Sequence, residues 1–117
     1  MLENKVAVVT GGAAGIGRSI ALTMAKEGAN IAILDVCKSE TAQEACALIG
    51  ETGAAVKFYH CDVSNFALVD STIKQVIADL GGVDILVNNA GITRDALLVS
   101  MKEADFDAVI AINLKGV

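Results

Sequence analysis

Residues 10–17, Thr-Gly-Gly-Ala-Ala-Gly-Ile-Gly, hold four glycines in eight positions. Glycine lets a backbone turn sharply and approach a phosphate without a Cβ in the way. The run lies between a β-branched segment and an apolar helical pattern, the strand–helix context of a phosphate cradle. There the first N–H groups of the helix and the positive end of its dipole face the anion. Gly11, Ala13, Ala14, Gly15, Ile16 and Gly17 are the candidate lining. The spacing is Gly11-x-x-x-Gly15-x-Gly17, not G-x-G-x-x-G. No Gly-Lys-Ser/Thr follows, which excludes a P-loop for nucleoside triphosphates. Taken alone, the run reads equally well as a plain strand–helix turn. Asp35 stands 18 residues beyond Gly17, at the end of the next apolar run. A carboxylate there can accept from both hydroxyls of an adenosine ribose and repel a 2′-phosphate. A solvated strand-end Asp is the bland alternative, but loop and acid in one β-α-β frame predict dinucleotide binding.

The elements that must position these residues alternate in period. Residues 5–10 (KVAVVT) predict a strand. Ile16, Ile20 and Met24 recur four apart as a helical stripe, which Gly28 ends. Residues 31–35 (IAILD) are a second strand. Ser39 is a candidate N-cap before a stripe at Ala42, Ala45, Cys46 and Ile49. Residues 55–60 (AVKFYH) alternate as a third strand, and Ser64 can cap a helix with Val69, Ile73, Val76, Ile77 and Leu80 on one face. Gly81 and Gly82 end that helix, and residues 83–88 (VDILVN) are a fourth strand. A last helical stripe reads Phe106, Val109, Ile110, Asn113 and Leu114. The order β-α-β-α-β-α-β-α predicts an α/β doubly wound parallel sheet of Rossmann type, its first strands ordered 3-2-1-4. Residues 1–117 are expected to be the N-terminal portion of one such domain, incomplete at the C-terminus.

The loop at 10–17, Asp62-Val63 after the third strand, Asn88-Asn-Ala-Gly91 after the fourth and Asn113 together resemble the short-chain dehydrogenases/reductases. The resemblance covers the whole chain. Within the family, residues 91–102 (GITRDALLVSMK) are most similar to the β-ketoacyl-acyl-carrier-protein reductases of fatty-acid synthesis, and related acetoacyl-CoA reductases share the segment. It implies that Asp62 accepts from the adenine amino group while the Val63 N–H reads the ring beside it. Helping to cap the next helix is the other role open to Asp62. Asn89, Ala90 and Gly91 would line the cofactor cleft. Asn113 would hold a water that relays protons to a catalytic Lys; a structurally satisfied buried amide is its alternative.

The family's chemistry also needs a Ser, and a Tyr with a Lys four residues on, to polarise and protonate the substrate carbonyl while the nicotinamide delivers hydride. The one tyrosine is Tyr59, and Val63 stands four residues later. Of the four expected catalytic residues only Asn113 is present, so the chain is expected to be inactive alone. The resemblance implies reduction of a 3-oxoacyl thioester, carried by acyl carrier protein or CoA, and a homotetramer for the full-length protein. Another short-chain alcohol, sugar or steroid dehydrogenase, or a non-catalytic nucleotide-binding fragment, is the alternative. Members preferring NADP(H) usually carry a basic residue just before the second loop glycine, where this chain has Ala14. With Asp35, this favours NAD(H) over NADP(H), although Lys38 is a nearby cation.

Composition narrows the setting. The chain has 117 residues, 54% of them hydrophobic and 20% charged, with a formal net charge of −5. It therefore lacks the basic footprint of a nucleic-acid or anionic-membrane binder. No apolar run approaches the roughly 20 residues of a membrane span. Cys37, Cys46 and Cys61 show no C-x-x-C spacing, which fits reduced thiols in the cytoplasm better than disulfides. His60, Cys61 and Asp62 are adjacent, but no further ligand in sequence completes a metal site. Arg94-Asp95 reads as a loop or surface ion pair.

Overall fold

The computed structural model describes residues 1–89 and 110–113. Along the chain run β1 (Val6–Thr10), α1 (Gly15–Lys26), β2 (Asn30–Asp35), α2 (Ser39–Gly50), β3 (Val56–His60), α3 (Phe66–Leu80), β4 (Ile85–Asn88) and β5 (Ile110–Asn113). The strands form one sheet in the order β3-β2-β1-β4-β5, and every pairing is parallel. The expected 3-2-1-4 arrangement is present, with a fifth strand outside it.

Period-2 alternation sends the strand side chains to two cores. Val6, Val8, Ala32, Leu34 and Leu86 pack with Val69, Ile73 and Val76 of α3. Ala7, Val9, Ile31, Ile33 and Val87 pack with Ala21 and Ala25 of α1 and Ala45 and Ile49 of α2 on the other face. With helices on both faces the central strands must be apolar throughout, and β1 is buried at all five positions. Asp84 locks the entry to β4: its Oδ2 accepts from Val6 N–H at 2.9 Å, and its own N–H donates to Val6 O at 2.8 Å.

Four sequence expectations are corrected. The buried line of α1 is Gly17, Ala21 and Ala25, one residue on from the expected Ile16, Ile20 and Met24, of which Ile20 and Met24 are half-buried beside it. Small side chains let the helix lie close against the sheet, and Ile16 is left 68% exposed. Ser39 is the first residue of α2 rather than its cap; Lys38 holds the cap position without a side-chain bond, and Glu40 supplies the acid of the first turn. Ser64 does not cap α3, because Asn65 does, its Oδ1 accepting from Leu68 N–H at 3.1 Å.

The fourth correction is the last element. Residues 110–113 are a strand, not part of a helix, and pair with β4 from Ile85↔Ile110 to Asn88↔Asn113. Ile-Ala-Ile-Asn is too short for its period to separate helix from strand. The open side of β4 offers it a ladder of backbone donors and acceptors. β4 is therefore paired on both sides and is not the exposed edge that a four-strand half-sheet would leave.

Candidate functional site

Parallel pairing brings the carboxyl ends of the strands to one edge. Thr10 is in register with Leu34 and Asn88, Asp35 with His60, and Asn88 with Asn113. In open α/β sheets this edge is where ligands bind.

The glycine loop is shaped by left-handed residues at Gly11 (φ 65°) and Gly15 (φ 57°). α1 starts behind it with Ala14 at the cap position, no side-chain cap and no acid in the first turn. The N–H groups of Gly15, Ile16 and Gly17 have no acceptor among the described residues. An uncapped, acid-free helix start with unspent donors is what an anion site requires. A Cβ at Gly17 would overlap the Gly11 carbonyl oxygen and come within 2.8 Å of Asn89 Nδ2.

Three side chains hold the loop from either side. On the β2 side, Asp35 Oδ2 accepts from Ala13 N–H at 3.1 Å, and Oδ1 accepts from Val36 N–H at 2.8 Å. On the β4 side, the buried Thr10 hydroxyl accepts from Asn89 N–H at 2.9 Å and reaches Val87 O at 3.3 Å and Asn88 Oδ1 at 3.2 Å. Asn89 Nδ2 donates to Gly11 O at 3.4 Å. The loop and the residues after β4 are thus one hydrogen-bonded unit. The bond from Thr10 to the residues after β4 was not evident from sequence, where Thr10 read only as the end of the first strand and the start of the glycine loop.

Between the ends of β2 and β3 lies a cleft of about 250 Å³ lined by Leu34, Asp35, Val36, Cys61, Asp62, Val63 and Ser64. Its walls are apolar apart from the carboxylates and Ser64, and Val36 at its rim is 54% exposed. Asp62 Oδ1 accepts from Ser64 Oγ at 2.7 Å and Ser64 N–H at 3.0 Å. The Ser64 hydroxyl, followed by its N–H, holds the Asp62 carboxyl below its ordinary range. Burial pushes the Cys61 thiol up, so it is a packed thiol rather than an activated one.

Of the candidate residues, Gly11, Ala13, Ala14, Gly15, Ile16, Gly17, Asp35, Asp62, Val63 and Asn89 all lie along this edge. Ala90, Gly91 and the Arg94-Asp95 pair lie outside the described residues. The backbone of Asn113 is at the same edge, on a strand rather than the expected helix. Among the described residues no cluster of His, Cys, Asp or Glu could hold a metal ion, and no helix is long and apolar enough to cross a membrane.

A glycine loop with unspent helix N–H groups, a strand-end acid and an apolar cleft follow one another along this edge, the arrangement of a dinucleotide-binding α/β protein. The chain belongs to the short-chain dehydrogenase family, a family of nicotinamide-cofactor oxidoreductases, whose model matches residues 5–117. It is 45% identical to the 3-oxoacyl-(acyl-carrier-protein) reductase FabG of Thermotoga maritima, over 99% of this chain and 47% of that protein. It is 44% identical to the hydroxyacyl-CoA dehydrogenase ChsB1 of Mycobacterium tuberculosis, over 98% of this chain and 37% of that protein. Among solved structures, an NAD⁺-bound xylitol dehydrogenase superposes with a TM-score of 0.73 at 40% identity, over 77% of this chain and 34% of that one. The chain spans about half the length of the FabG proteins it matches.

Proposed function

We propose that this chain is the cofactor-binding half of a cytoplasmic reductase that converts a 3-oxoacyl thioester, on acyl carrier protein or CoA, to the 3-hydroxyacyl form. Similarity to FabG along nearly the whole chain supports that substrate class, and the hydroxyacyl-CoA enzyme supports the CoA version. The full-length protein would be a homotetramer.

The observation that carries the cofactor reading is Asp35, tied to the loop through Ala13 N–H and lining the cleft at the same time. Each carboxylate oxygen spends one lone pair on a backbone N–H and keeps another for a ribose hydroxyl. A 2′-phosphate there would meet the carboxylate charge, and Ala14 offers no cation to offset it. NAD(H) is therefore preferred over NADP(H). The bound nicotinamide supplies the hydride. The N–H groups of Gly15, Ile16 and Gly17 would take the pyrophosphate and Asp62 and Val63 the adenine, while Asn89 with Ala90 and Gly91 would line the cofactor cleft. Asn113, beside Asn88 in register, would contribute its amide to the proton path. The Tyr-x-x-x-Lys pair that would protonate the alkoxide is not among these 117 residues.

Two assays with NADH test this. The 117-residue chain with an acetoacetyl thioester should show no absorbance loss above buffer. The protein from the complete reading frame containing it should reduce that thioester in preference to ketoses or ketosteroids. Turnover by the 117 residues alone contradicts the first expectation. A polyol or steroid preference in the complete protein contradicts the second, and favours the alternative dehydrogenases.

A further inference from the structure

The Asp62–Ser64 turn is more tightly arranged than the helix after it needs. Asn65 already caps α3 through Leu68 N–H, so neither the Asp62 carboxylate nor the Ser64 hydroxyl serves the helix end. Instead both donors of Ser64, hydroxyl and N–H, converge on one oxygen of Asp62, at 2.7 and 3.0 Å. The other oxygen, Oδ2, has no hydrogen-bond partner among the described residues, and neither has the adjacent Val63 N–H. Both residues line the 250 Å³ cleft with the apolar Leu34, Val36 and Cys61. One acceptor and one donor on adjacent residues are therefore left over at a largely apolar cleft.

We propose that Ser64 is a positioning residue for base selection: by fixing Asp62 Oδ1 it presents Oδ2, beside Val63 N–H, as an acceptor–donor pair that takes a 6-amino purine and rejects a 6-oxo purine. Adenine matches the pair, its amino group donating to Oδ2 and its N1 accepting from Val63. Hypoxanthine reverses both positions, setting a carbonyl against a carboxylate and an N–H against an N–H. An ionised carboxylate only accepts, so it cannot adapt to the carbonyl unless it turns away. The two Ser64 bonds oppose that rotation. This deepens the reading of the cleft as the adenine subsite and rests on it.

The test compares NADH with nicotinamide hypoxanthine dinucleotide, reduced, by calorimetric titration of the chain at neutral pH. The chain should favour NADH by about tenfold, the scale of one charged hydrogen bond made or lost. Ser64→Ala should bring the ratio to about two to three while retaining NADH binding, and Ser64→Thr, which keeps the hydroxyl, should restore it. Asp62→Asn is a second readout independent of Ser64 substitution. Ser64 would hold the amide oxygen and present the amide nitrogen, so the ratio should fall to unity or below. A merely structural role for Ser64 would alter the melting temperature and leave the ratio unchanged. An unchanged ratio in both Ser64→Ala and Asp62→Asn, or equal binding by the unaltered chain, overturns this inference alone. Binding of neither dinucleotide overturns the adenine reading and this inference with it.

Discussion

Asp35 reaches from the end of β2 to the Ala13 N–H, 3.1 Å away, so the acid proposed for a ribose also braces the loop proposed for a pyrophosphate. The two halves of the proposed cofactor site are thereby mechanically joined. A change at Asp35 should alter the loop as well as the ribose contact.

Gly15 and Gly17 need glycine for different reasons, and substitution separates them. Gly15→Ala meets nothing within 4 Å but must hold φ +57°, a strain of about 1–2 kcal/mol. Gly17→Ala pushes a methyl into the Gly11 carbonyl and against Asn89 Nδ2, overpacking worth about 1–3 kcal/mol. It should also abolish NADH binding, because relief requires moving the loop or Asn89. Urea unfolding paired with NADH titration reads both effects. Unimpaired binding by folded Gly17→Ala would contradict the close approach of loop and α1.

Thr10→Val keeps the shape of a fully buried side chain and removes the acceptor of Asn89 N–H. A donor left unpaired there costs about 1–3 kcal/mol, and Thr10→Ser should recover most of it. The denaturation midpoints of the three proteins decide this. Equal stability of Thr10→Val and the unaltered chain would show that the Thr10–Asn89 bond contributes nothing.

On the face of the edge strand β3, Tyr59 Oη donates to Asp79 Oδ2 at 2.8 Å, Gln75 Nε2 donates to Oδ1 at 2.9 Å, and Lys57 Nζ lies 3.4 Å away. Chiefly the Tyr59 hydroxyl, then Gln75, hold the Asp79 carboxyl below its ordinary range. Burial, then Asp79, push the Tyr59 hydroxyl up, so it remains a donor. A carboxyl with a depressed folded pKa adds stability above its unfolded pKa and loses it as pH falls through the folded value. The stability gap between the unaltered chain and Tyr59→Phe should therefore be full at neutral pH and shrink through the acid range. A gap constant from neutral pH into strong acid would assign it to packing instead.

What was legible in sequence followed from patterns that physics makes nearly unique. The runs around Val8, Ile33 and Leu86 had to be central parallel strands because they are apolar on both faces. Their order then brought Thr10, Asp35 and Asn88 to one edge. The less legible features involve choices that composition does not decide. The α1 stripe was read one residue early: Ile20 and Met24 pack at the margin of the core, but its fully buried line is the smaller Gly17, Ala21 and Ala25, and Ile16 is exposed. Ser64 and Asn65 are both good caps, and only the turn geometry shows that Asn65 takes the helix while Ser64 takes Asp62. Residues 110–113 carry an apolar run short enough for either periodicity, and the free side of β4 made it a strand. The Thr10 hydroxyl bond to Asn89 links residues 79 apart, a pairing that no local pattern encodes.

The most direct test of the central claim is titration of the 117-residue chain with NADH and NADPH, repeated on Asp35→Ala/Ala14→Arg. The account predicts saturable though weak binding of NADH, tighter than that of NADPH, in the unaltered chain. In the double variant the preference should move toward NADPH, because the charge facing the 2′ position has changed sign. NADPH bound as tightly as NADH by the unaltered chain, or binding of neither cofactor by a folded chain, would contradict it.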